Sequence, residues 1–116
     1  MKYMLLIYEE EKAWERMPEA ERNAIFGQYM SFTEDIKKKG QYVAGDALQP
    51  TQTATTVRLR QNKTLKTDGP FAETKEQLGG YYIVEAKNLD EAIAIASRIP
   101  AAAMGSIEVR PVMVFD

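Results

Sequence analysis

Six side chains in this sequence carry groups from which a reaction centre could be assembled: Asp68, Lys75, Arg110, Tyr8, Phe71 and Tyr82. A carboxylate whose pKa is raised by burial can abstract a proton next to a carbonyl, and nearby cations or phenols can stabilise the oxyanion that forms. Asp68 is the candidate general base. Arg110 and Lys75 are candidate anion binders, and Tyr8, Phe71 and Tyr82 are candidate pocket walls. Each also has a plainer reading. Asp68 precedes Gly69-Pro70, and an aspartate before glycine is what a turn favours, because its side chain accepts from the backbone ahead while glycine takes positive φ. Glu73, Lys75 and Glu76 fit a solvated rim. Arg110 and Glu108 share a strand face and fit an ion pair at a subunit interface as well as a substrate clamp. Tyr3, Tyr8, Tyr81, Tyr82 and Trp14 suit a core as well as a ligand pocket.

Composition removes several classes of chemistry. Histidine and cysteine are both absent, so no imidazole base, thiolate nucleophile, disulfide or His-ligated metal is available. Acidic and tyrosyl oxygens occur without a fixed ligand spacing, so no metal is expected. Gly79-Gly80 belongs to no G-x-G-x-x-G sequence and reads instead as close backbone packing or a bulge, and no cofactor is expected. The net charge of −2 supplies no basic footprint for nucleic acid or anionic lipid. The apolar run Tyr3–Tyr8 is too short for a membrane span or signal core, which gives a cytoplasmic expectation.

The elements that must position these groups follow from periodicity. With 45% apolar and 28% charged residues, the 116-residue chain suits one globular domain spanning 1–116. Tyr3–Tyr8 reads as a strand apolar on both faces. Pro18, Glu19 and Glu21 open a helix whose Ile25, Tyr29, Phe32 and Ile36 recur at helical spacing until Lys37-Lys38-Lys39 and Gly40. Residues 41–48 and 54–61 are strand-like, and Asn62-Lys63 offers a turn into 64–67. Residues 80–86 again read as a strand apolar on both faces. Asn88 and Glu91 form a capping-box pattern ahead of Ala92, Ile93, Ala96 and Ile99, and Pro100 stops that helix. Residues 106–115 close the chain as a strand, with Pro111 marking an edge or a break in pairing.

This order predicts a ferredoxin-like α+β domain, an antiparallel sheet with two helices on one face. Two helices cover one face only, so a second copy packing sheet against sheet is expected to cover the other, giving a homodimer. An exposed aromatic ligand surface is the rival reading of that face.

"DGPFAETKE", followed by "GGYYIVEA", "AIAIASRIP" and "IEVRPV", resembles the DGPF family of the YCII-related superfamily, over essentially the whole chain. The resemblance implies a dimeric α+β barrel with a pocket between sheet and helices in each subunit. It also implies kinship with muconolactone isomerases, small monooxygenases and a chloromuconolactone dehalogenase. YCII-related proteins typically carry a His-Asp pair proposed as an active site; with no histidine here, only Asp68 carries over. Two functions follow as expectations. One is a cofactor-independent lyase, isomerase or dehalogenase-like enzyme acting on a small carbonyl or lactone. The other is a non-catalytic sensing or regulatory dimer tied to an extracytoplasmic-function sigma factor, since many DGPF proteins are encoded beside one. Under the first, Thr67–Tyr82 turns the chain into a buried strand and leaves Asp68 at the pocket mouth.

Overall fold

The computed structural model describes residues 1–115. Six strands and three α-helices follow in the order β1 (Lys2–Glu9), α1 (Glu11–Arg16), α2 (Glu19–Lys38), β2 (Tyr42–Ala47), β3 (Thr55–Arg60), β4 (Lys63–Asp68), β5 (Gln77–Glu85), α3 (Leu89–Ser97) and β6 (Ser106–Pro111). Four of the strands form one sheet in the order β2-β5-β1-β6, with every neighbouring pair antiparallel. Setting β3 and β4 aside, this is the βαββαβ ferredoxin-like arrangement, with α2 and α3 as the two crossovers. The expected α+β class is the observed one, and β3-β4 is a separate hairpin inserted between the second and third sheet strands.

Helix boundaries follow local chemistry. Pro18 precedes α2, Glu19 and Glu21 sit in its first turn, and Lys37 and Lys38 sit in its last, each charge opposing the nearer end of the helix dipole. Gly40, at φ +72°, closes α2 with the paired bonds Gln41 N–H to Ile36 O and Gly40 N–H to Lys37 O. Asn88 caps α3 by accepting from the Glu91 N–H at 3.0 Å, while the Glu91 carboxylate accepts from the Lys87 N–H.

One face of the sheet meets α2 and α3. Tyr3, Leu5 and Ile7 of β1 and Tyr82 and Val84 of β5 are buried there against Phe32 and Ile36 of α2 and Ala92, Ile95 and Ala96 of α3. The far face carries Met4, Leu6, Tyr8, Tyr81 and Ile83, the alternate residues of the same two central strands.

Several elements differ from the periodicity reading. Ile93 is exposed and Ile95 takes its place in the core, since the buried stripe runs through Ala92, Ile95, Ala96 and Ile99. The hairpin turns at Gln61-Asn62, both at positive φ, rather than at Asn62-Lys63; two left-handed central residues give the twist that a two-residue hairpin needs. The final strand stops at Pro111, because the imino nitrogen cannot extend the ladder and only the Val112 N–H, bonded to Lys2 O, continues it. Helix α1 is an additional short element. The β3-β4 hairpin leaves Val57, Leu59 and Leu65 exposed. It enlarges the radius of gyration to 16.2 Å, against about 13 Å for a compact domain of this length.

Candidate functional site

The end of the helix-facing layer nearest α1 is hollow. A cavity of about 540 Å³ lies beneath α1 and the first half of α2, above the ends of β1, β2 and β5. Ile7 and the glycine pair Gly79-Gly80 form part of its floor, and Trp14, Phe26, Tyr29 and Tyr42 form its aromatic walls. Trp14 and Phe26 meet edge to face at 5.4 Å, which ties α1 onto α2.

Glycine makes the floor possible. A Cβ on Gly80 would lie 2.9 Å from the Asp46 carbonyl oxygen, so only glycine lets β2 and β5 approach this closely. The ladder skips Gly79 between the pairs Ile7–Gly80 and Tyr8–Leu78, a bulge that bends β5 at the cavity. Gly45 lies opposite Tyr82 across the strands, and a Cβ there would meet the phenol ring at 2.8 Å. Tyr82 therefore lies over Gly45, and its hydroxyl is 2.7 Å from the Thr33 Oγ1 of α2. This hydroxyl pair lies in the cavity lining.

The lining is acidic. Glu9, Glu11, Glu15 and Asp46 line the cavity, and among the described residues no lysine or arginine does. Glu11 is occupied: its carboxylate accepts from the Thr51 N–H at 3.0 Å, while its own N–H donates to Gln77 Oε1 at 3.0 Å, which joins α1 to the β2-β3 loop and to β5. Glu9 follows Tyr3, Leu5 and Ile7 in strand alternation, so it stands on the helix-facing side, half-buried and without a hydrogen-bond partner among the described residues. Burial, and then the neighbouring Glu76 carboxylate, push the Glu9 carboxyl above its ordinary value. Burial and then the Glu9 charge push the Tyr29 phenol up, and burial does the same to Tyr82 against the opposing Thr33 hydrogen bond. A half-buried carboxylate near a phenol, in a cavity that a hydroxyl pair also lines, can take up, hold and return a proton. Among the described residues no three acidic side chains gather in a metal-binding cluster.

The residues singled out by sequence are dispersed. Tyr82 lines the cavity; Asp68, Phe71, Lys75, Tyr8 and Arg110 do not. Asp68 ends β4 and is exposed at the base of the hairpin, where Gly69, at φ +99°, donates its N–H to Ala54 O at 2.7 Å. Phe71 and Lys75 lie exposed in the irregular segment 69–76. Arg110 is on the edge strand β6 and pairs with Glu108, and Tyr8 faces the far side of the sheet. Among the described residues no ion pair joins Asp68 to Lys75 or Arg110. Glu9 was missed because the strand reading stopped at Tyr8. One further step of the same period-2 pattern would have placed a carboxylate at the end of the buried face.

This sheet order, crossover pattern and pocket between sheet and helices accompany a match of the YCII-related domain model to residues 1–116. The chain belongs to the YCII-related domain family. An uncharacterized protein of Rhizobium meliloti (strain 1021) is 33% identical to it over 117 residues, covering 99% of this chain and 94% of the relative. In this YCII-related domain no described helix is long and apolar enough to cross a membrane.

Proposed function

We propose that this YCII-related domain, of the DGPF kind, binds a small molecule in the aromatic cavity beneath α1 and α2. We further propose that Glu9 is the proton-handling group for any lyase, isomerase or dehalogenase-like step on that ligand. The observation that carries the reading is the cavity itself: about 540 Å³, walled by aromatics, with a half-buried carboxylate free of hydrogen bonds among the described residues. Pockets of this size with a few convergent polar groups are the usual place for small ligands.

The test is a thermal-melt screen of wild type, Tyr82→Phe, Glu9→Gln and Asp68→Asn against small lactones, ketones and amino ketones. A ligand at a hundred times its Kd stabilises the native state by about 2.7 kcal/mol. The expected outcome is a shift in wild type and Asp68→Asn, with a smaller shift in the two cavity variants. A shift abolished by Asp68→Asn alone would move the site to the DGPF stretch, and no shift with any compound would remove the reading. Turnover of a bound compound separates an enzyme from the alternative, a non-catalytic sensor serving a sigma-factor circuit.

The far face of the sheet supports a second proposal, that two copies pack face to face into a dimeric α+β barrel. Met4, Leu6, Tyr8, Tyr81 and Ile83 form an apolar surface that neither helix covers. Sedimentation should give a dimer for wild type and a monomer for Leu6→Glu, which places a charge at the middle of that face. A monomeric wild type at micromolar concentration would refute the assembly.

A further inference from the structure

Resting on the cavity reading above, we infer that the ligand is an organic cation, a protonated amine or quaternary ammonium on a flat apolar body, rather than an anion. Three features of the lining point the same way. All the charged side chains lining it among the described residues are acidic, Glu9, Glu11, Glu15 and Asp46, and Glu9 and Glu15 carry no side-chain hydrogen bond or ion pair among those residues. An anion entering here would meet two free negative charges and no cation. A positively charged group would supply the partner that half-buried Glu9 lacks, and in a partly dry site such attraction is screened less than at the surface.

The aromatic walls add the second feature. Trp14, Phe26, Tyr29, Tyr42 and Tyr82 border the same space, and the negative face of an aromatic ring attracts an ammonium within about 6 Å. One of these rings already holds a cation: the Lys37 ammonium sits 4.8 Å from the Tyr42 centroid. Lys37 itself does not line the cavity and forms no ion pair with its glutamates among the described residues.

The third feature is how the remaining groups are used. The Glu11 carboxylate is committed to Thr51, and Asp46 accepts from the Tyr81 hydroxyl at 2.7 Å, so neither competes for the ligand's charge. Glu9 is half-buried, two residues along β1 from Ile7 and close enough for its charge to act on the Tyr29 phenol, whereas Glu15 is exposed on α1. An ammonium seated among the rings would thus meet Glu9, while Glu15 raises the concentration of cations at the mouth.

The experiment uses three probes with one shared body: 2-phenylethylammonium, 2-phenylethanol and 3-phenylpropanoate. Their affinities are measured by calorimetry at neutral pH with wild type, Glu9→Gln and Glu15→Gln. The expected order is cation over alcohol by about tenfold, which corresponds to about 1.4 kcal/mol, with no detectable binding of the carboxylate. Glu9→Gln should remove most of that preference, lowering the affinity of the amine by a much larger factor than that of the alcohol. Glu15→Gln, on an exposed helix position where folding is not at risk, should lower it by a smaller factor and reduce its sensitivity to salt. An alcohol that binds as tightly as the amine, or a carboxylate that binds best, overturns the cation inference and leaves the pocket standing. Failure of all three probes to bind overturns both.

Discussion

Helix α2 spans two regions built from the same helix face and the same strands, one solid and one hollow. Over its second half, Phe32 and Ile36 meet Leu5 and Val84, and Ile36, Leu5 and Val84 are fully inaccessible to solvent. Over its first half, Ile25 and Tyr29 keep the helical spacing but are only partly covered, and Phe26 is 54% exposed. The difference lies beneath the helix. At the solid end the strands present branched aliphatic side chains; at the hollow end β5 presents Gly79-Gly80, and β1 ends its buried face on Glu9. A helix stripe therefore sets which residues turn inward, and the strand residues below decide whether they meet a core or a cavity.

The largest expected effect sharpens this contrast. Ile36→Ala removes a fully buried side chain and should cost about 2–5 kcal/mol in urea unfolding, with no change in affinity for 2-phenylethanol. Phe26→Ala at the hollow end should cost less than about 1 kcal/mol, because the ring is already half in water, and should weaken binding of the same probe several-fold. Similar stability losses at the two positions would dissolve the comparison.

A smaller effect is expected from the floor. Gly80→Ala forces a Cβ against the Asp46 carbonyl, so β2 must move away, at about 1–3 kcal/mol. Gly79→Ala, where nothing lies within 4 Å of an added Cβ, should be nearly neutral in stability yet intrude on the cavity and weaken the probe. If both substitutions proved equally harmful to folding, the glycines would be serving the strand and not the hollow.

The most delicate prediction concerns Glu9. A carboxyl raised in the folded state holds its proton more readily there than in the unfolded chain. Its contribution to stability is therefore complete below the ordinary value of 4.5 and is lost as pH rises through the raised one. Glu9→Gln should accordingly melt higher than wild type at neutral pH, with the gap closing as pH falls below that ordinary value. A variant that melts lower than wild type at neutral pH would mean that the Glu9 charge is compensated by a partner and is not waiting for one.

Much of the scaffold was legible in the sequence, because the signals concerned are local. Apolar alternation marks both central strands, Asn88 and Glu91 mark the start of α3, and Lys37–Gly40 mark the end of α2. The order of these elements restricts the sheet to few topologies. The site was less legible. A nine-residue motif drew attention to Asp68 and Lys75, whose types fit chemistry but whose positions depend on how segment 63–76 leaves the sheet.

Sequence by itself determined the two central strands, the two crossover helices, their order and the apolar character of both sheet faces, since each rests on periods of two or 3.6 residues and on caps within a few positions. Only the tertiary structure decided that Tyr82 stands on Gly45 and reaches Thr33, 49 residues away in sequence, and that Glu9 closes a buried strand face under Tyr29. Those placements come from contacts between elements distant along the chain, and no local periodicity encodes which residue types such contacts bring into one cavity.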